Sequence, residues 1–198
     1  MELKSDYWDH QYQNGRTGWD IGYAAPAIVE YFQQKNNKEL KILIPGAGNA
    51  WEAEYLWKTG FKNLFVLDFS QQAVDSFQRR FPDFPSSHIF KENYFHHHGQ
   101  YDIIVEQTFF SSLSPHLRVQ YAEKAYHLLK PKGKLVGLLF NHPFNFEGPP
   151  YGGSPEEYKR ILEKHFFLKT FRNAYNSIKP RKGRELFIIA ERKIDESI

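Results

Sequence analysis

The chain contains no cysteine. Disulfides, thiolate metal sites and a cysteine nucleophile are thereby excluded. Long apolar runs are missing too: the longest clean stretch, LVGLLF at 135–140, is far shorter than the ~20 residues of a membrane span. The opening MELKSDYWDHQYQNG is polar and lacks the apolar core of a secretory signal. A cytoplasmic protein without a membrane partner is expected. An excess of charge of one sign is missing as well, since the formal net charge is only +3. That is too little for a nucleic-acid binder and favours an anionic ligand only slightly. Neither internal repeats nor low-complexity tracts occur.

What is present is alternation of strand and helix within 198 residues, enough for one well-filled domain over 1–198. PAIVEYFQQ from Pro26 reads as a helix and LKILI as a strand. Residues 50–58 form the next helix and LFVLD, 64–68, the second strand. Ser70 caps a helix that runs to Arg80. SSHIFKENYF is a weaker third strand and YDIIVE a strong fourth. A helix from Ser114-Pro115 to Leu129 is stopped by a KPKG turn, and KLVGLLF is the fifth strand. A loop rich in proline and glycine leads to a helix from about Pro155 to Lys164. The runs FFLKTFRNAY and ELFIIAER have no helix between them and should pair antiparallel at the sheet edge. The expected fold class is α/β, a doubly wound, mostly parallel sheet.

In such sheets ligands sit at the carboxyl ends of the strands. The loop PGAGN after the first strand places Gly46 and Gly48 there, free to adopt positive φ. A dinucleotide loop also needs a third small residue, and this chain has Trp51 at that position. The Walker lysine is missing as well. Asp68 closes the second strand, 20 residues after Gly48, where a carboxylate accepts from both hydroxyls of a ribose. Two glycines and a ribose acid without a phosphate seat fit S-adenosylmethionine. A plain turn and an ordinary helix cap are the alternatives.

Five blocks carry a wider resemblance: YWDHQYQNGRTGWD at 7–20, ILIPGAGNAWEAEYL with VLDFS, YDIIVEQTFFSSLSPHLR at 101–118, GPPY at 148–151, and KGRE at 182–185. In this order they resemble the thiopurine S-methyltransferase family, and most of all its halide/thiol methyltransferase branch. The resemblance implies a class I, Rossmann-like methyltransferase with a seven-stranded sheet and an N-terminal arm, residues 1–22, folded over the cofactor as a lid. It implies that Trp8, Tyr12 and Trp19 line the pocket, that Gly46 and Gly48 meet the methionine part, and that Asp68 holds the ribose. Phe69 would flank the adenine beside Ser70, with Tyr94, Gln107 and Thr108 continuing the wall. Asn93 stands where relatives place an aspartate; its amide oxygen still accepts from the adenine amino group. Arg118 and Tyr151, together with Trp8 and Trp19, would bind the acceptor. Arm aromatics that merely pin the arm, a surface Arg118 and a loop-anchoring Tyr151 remain the plainer readings.

A sulfonium methyl group is already activated, so transfer is an in-line displacement gained by alignment and exclusion of water. No general base stands out among the candidates, which favours a soft nucleophile that is already an anion: halide, thiocyanate, hydrosulfide or an acidic thiol such as a thiopurine. GPPY lies after the fifth strand, whereas the signature of nucleic-acid amino-methyltransferases follows the fourth, so a nucleic-acid substrate is disfavoured. HHH at 96–98 is read as a solvated loop, because adjacent histidines converge poorly on one ion and no metal is expected. KPRKGR, 179–184, is read as a solvated hairpin tip between two strands; a nucleic-acid patch is one alternative, and Arg181 or Arg184 leaning toward the acceptor mouth, as the family position suggests, is the other. The rivals are a binder of the cofactor or of a tellurite- or selenite-type oxyanion without turnover, and a nicotinamide-dependent reductase. A monomer is favoured.

Overall fold

The computed structural model describes residues 4–194. Its seven strands are β1 (Ile42–Pro45), β2 (Leu64–Asp68), β3 (Ile89–Lys91), β4 (Tyr101–Gln107), β5 (Leu129–Phe140), β6 (Phe166–Asn173) and β7 (Glu185–Arg192). They form one sheet in the order β3-β2-β1-β4-β5-β7-β6. β7 alone runs against the others, pairing antiparallel with β5 and β6 as the missing crossover helix requires.

Alternation along each strand builds two cores. Ile42, Ile44, Val66, Ile103 and Val105 face one layer with α2 (Pro26–Gln33), α3 (Trp51–Lys58) and α4 (Gln71–Arg80). Leu43, Leu67, Ile104 and Leu135 face the other, with α6 (Arg118–Leu128) and α7 (Pro155–Leu162). Each fully buried Leu, Ile or Phe contributes about 2 kcal/mol relative to exposure. Helix starts follow the local chemistry. Ser70 accepts the Ala73 N–H at 3.1 Å and Ser154 accepts that of Glu157 at 3.2 Å, capping α4 and α7.

Three expectations change. The third strand is only three residues long, flanked by 3-10 turns at Ser86–His88 and Tyr94–His96. The helix expected from Ser114 to Leu129 splits into a 3-10 turn, Pro115–Leu117, followed by α6. KPKG is a bulge within β5 and not a turn between elements: the register jumps from Tyr101↔Leu129 to Ile103↔Lys134. Lys132 takes φ +62°, and a Cβ at Gly133 would lie 2.8 Å from the Lys130 carbonyl. The Lys130 ammonium meets Asp102 at 2.9 Å, so the turn chemistry is spent inside the ladder.

The histidine run also departs from a solvated loop. His97 is buried, with Nδ1 paired to Glu92 and Nε2 at 2.7 Å from the Tyr101 hydroxyl. Strand order reverses between β1 and β4, so the chain leaves their carboxyl ends in opposite directions and opens a crevice there.

Candidate active site

The first loop enters the crevice through Gly46 and Gly48, at φ +56° and +54°. Both positions also need the absence of a side chain. A Cβ on Gly46 would fall 2.2 Å from the Phe109 ring, and one on Gly48 2.6 Å from the Tyr12 hydroxyl. At the end of β2, Asp68 grips this loop: Oδ2 accepts the Gly48 N–H at 2.9 Å and Oδ1 the Ser70 N–H at 2.9 Å. Burial raises its pKa and those two N–H groups pull it back.

The arm, with α1 (Ser5–Gln13), covers the loop. Its rings pack edge to face, Trp8 on Trp19 at 5.4 Å and Tyr12 on Trp19 at 5.7 Å. Burial, with the nearby charge of Asp68, pushes the Tyr12 hydroxyl well above its ordinary pKa. Asp9 fastens one end of the arm, accepting from the Ser70 hydroxyl at 2.6 Å and the Gln72 N–H at 3.1 Å.

The structure brings Trp8, Tyr12, Trp19, Gly46, Gly48, Asp68, Phe69, Asn93, Tyr94, Gln107 and Thr108 around one cavity. Ser70, Arg118 and Tyr151 do not line it. Ser70 is buried beneath, capping α4 and holding Asp9. Arg118 is neither a surface cation nor a wall residue; it is 1% exposed and aimed at the loop that carries GPPY. Its guanidinium donates to Glu157 at 2.7 Å, to the Gly152 carbonyl at 2.8 Å and to that of Tyr151 at 3.4 Å. Pro149 and Pro150, not Tyr151, present this loop to the cavity. Asn93 spends one lone pair of its amide oxygen on the Phe95 N–H at 2.9 Å, which leaves one acceptor site.

Trp51 answers why a bulky ring replaces the third glycine. Its indole N–H donates to Asp20 of the arm at 2.7 Å, while the other oxygen of Asp20 takes the Asn49 amide. The Arg80 guanidinium lies 3.6 Å over the indole ring. The ring at the third-glycine position thus ties the arm to α3. Trp51→Phe keeps the ring and deletes that hydrogen bond. Cofactor affinity is expected to fall about tenfold, the worth of one charge-assisted bond, and protease nicking of residues 4–22 to quicken. Unchanged nicking would sink this tie.

Among the carboxylates by the site, Asp20, Glu52, Glu92 and Glu106 were not among the sequence candidates. Glu52 lines the cavity and accepts the Ala25 N–H at 2.9 Å, its pKa raised by burial. Glu106 lies fully buried behind Gln107. Neither stands in a recognisable motif; the only signal is a charge inside an otherwise apolar pattern.

The cavity also fits a ligand that brings a donor to its wall, since the Oε1 of the lining residue Gln107 is buried without a hydrogen-bond partner. Among solved structures, the 1,6-didemethyltoxoflavin-N1-methyltransferase of Burkholderia thailandensis superposes with a TM-score of 0.74 over 96% of this chain and 87% of its own, at 16% identity. Sheet order, glycine loop and strand-end acid are those of a class I methyltransferase fold, and family membership makes the chain an S-adenosylmethionine-dependent methyltransferase. The family model of thiopurine S-methyltransferase matches residues 3–193, and the chain belongs to that family. It is 28% identical to the probable thiol methyltransferase 2 of Arabidopsis thaliana, over 93% of this chain and 84% of that protein. It is likewise 28% identical to thiocyanate methyltransferase 1 of Brassica oleracea, over 90% and 81%. Among the described residues no helix is long and apolar enough to cross a membrane.

Proposed function

We propose that the enzyme methylates a small, soft, already anionic nucleophile: thiocyanate, hydrosulfide, a halide or an acidic thiol. One observation carries this. Every carboxylate that lines the cavity already has a partner: Asp68 and Glu52 accept backbone N–H groups, Asp20 accepts from Trp51 and Asn49, and Glu92 pairs with His97, so none stands free as a base for a neutral acceptor. The two plant relatives, named for thiol and thiocyanate, support the same class.

S-adenosylmethionine supplies an activated methyl group; the protein supplies alignment. In this reading the two remaining lone pairs of Asp68 hold the ribose, and the orphan oxygen of Gln107 takes the ammonium of the methionine part. The ring faces of Trp8 and Trp19 suit a sulfonium, and ring edges suit the incoming anion. The arm excludes water, which strengthens each of these interactions. One domain spanning 1–198, with residues 1–22 as its lid, is the matching organisation; the first three of those residues lie outside the described ones.

Purified protein incubated with S-adenosylmethionine and, separately, thiocyanate, iodide, hydrosulfide, an aromatic thiol, a thiopurine and selenite tests this. S-adenosylhomocysteine should form above the blank with at least one soft anion. Cofactor binding without product across the panel would overturn the proposal in favour of a binder.

A further inference from the structure

Glu106, the penultimate residue of β4, is 0% exposed and takes no part in the transfer described above. Its carboxylate stands at the start of α5 (Phe109–Ser112). Oε1 accepts the Phe110 N–H at 2.8 Å, and Oε2 accepts the Tyr121 hydroxyl of α6 at 2.6 Å. The neighbouring strand makes room for it. Gly137 pairs with Glu106, and a Cβ there would come within 2.1 Å of the Glu106 carbonyl and 2.4 Å of its Cβ.

What Glu106 holds is the cavity wall. Between it and Phe110 lie Gln107, Thr108 and Phe109. Thr108 sits at φ +64°, a left-handed conformation costing a threonine about 1 kcal/mol. The ring of Phe109 rests on Gly46. A wall strained at one residue and leaning on the glycine loop at the next needs an anchor, and the carboxylate is the group that pins both of its ends.

We propose that Glu106 is a positioning residue: its ionised carboxylate keeps residues 107–110 in the cofactor-binding shape, and protonating it loosens that wall. The proposal rests on the methyltransferase reading for the choice of ligand. The titratable groups facing Glu106 are Tyr121 from α6 and Tyr94 from the turn after β3, their rings stacked at 5.3 Å. Burial holds both phenols well above their ordinary range, so they stay neutral. Strand β5 contributes Gly137 and α5 its backbone N–H groups, neither of which titrates. Burial pushes Glu106 up to about 7, against the downward pull of the Tyr121 hydroxyl and the N–H groups of Phe110 and Phe109. A proton on Oε2 turns the Tyr121 hydroxyl away from its acceptor, and one on Oε1 meets the Phe110 N–H. In the first case the acid can donate back to the Tyr121 oxygen, but the Tyr121 O–H is left without an acceptor; either way a charge-assisted bond is lost.

The test is the dissociation constant of S-adenosylhomocysteine, read from tryptophan fluorescence between about pH 5.5 and 8.5 with no acceptor present. Affinity of the wild type should fall about fivefold as pH drops through about 7, the worth of one hydrogen bond. Glu106→Gln, neutral throughout, should bind at the weaker level with no such limb. Tyr121→Phe removes a donor that favours the anion, so its limb should move to higher pH. A limb that survives in Glu106→Gln, one that stays put or moves down in Tyr121→Phe, or pH-independent binding by the wild type would overturn the proposal. Absence of binding at every pH would instead overturn the cofactor reading, and this inference with it.

Discussion

Asp68→Ala is expected to weaken S-adenosylmethionine binding about 100-fold. Each carboxylate oxygen already takes one backbone N–H, from Gly48 and from Ser70, and has one further lone pair, which in the proposed reading meets a ribose hydroxyl. Two hydrogen bonds to a charged group are together worth about 3 kcal/mol, or about two decades in affinity. The same substitution strips two N–H groups of their acceptor, so a fall of a few degrees in melting temperature should accompany it. Asp68→Asn keeps one acceptor and should cost about tenfold. Calorimetric titration separates the cases. Affinity of the alanine variant within threefold of wild type would mean that the ribose is held elsewhere.

Arg118→Ala should be the most destabilising change near the site, and it should act on the acceptor side. The guanidinium joins α6 to Glu157 on α7 and to two carbonyls of the loop whose prolines face the cavity. Removing it leaves those carbonyls and a partly buried carboxylate without their donor, costing about 3 kcal/mol. For a chain of this size that lowers the melting temperature by about 9 °C. Affinity for S-adenosylhomocysteine should be kept, while KM for the acceptor rises severalfold as Pro149 and Pro150 lose their support. Arg118→Lys offers one ammonium where three bonds are needed, so it should rescue stability only in part. An unchanged acceptor KM in both variants would show that the loop holds its shape unaided.

The site was legible where its chemistry is local. Strand β1, the two glycines and Asp68 lie within 27 residues of one another, and each has a backbone reason to be what it is. The aromatic arm was legible through resemblance alone, because nothing in the spacing of Trp8, Tyr12 and Trp19 says what they cover. What escaped was pairing across the chain. Arg118 sits in a plain amphipathic helix, and its three partners begin 33 residues later. Glu106 reads as the polar end of an apolar strand until Tyr121 and Gly137 are brought around it. His97 is one of three identical neighbours, of which the turn after β3 buries only the middle one. Side chains whose partners lie in other elements leave no period in the sequence, and those residues carry most of the site's support. KPKG failed for the opposite reason: its turn signal was real, but the ladder of β4 and β5 absorbed it.

The link from Arg181 to the arm has a bearing on how the protein is made. Its guanidinium donates to the Trp19 carbonyl at 2.7 Å, across 162 positions of sequence. On the ribosome the arm emerges among the first segments and its clasp among the last. Until residue 181 clears the exit tunnel, Trp19 lacks that tether, although Asp20 can already find Trp51. During synthesis the arm therefore lacks one of the two tethers that hold its Trp19–Asp20 end in the folded protein. The last tether of the arm thus forms only once the C-terminal hairpin is in place.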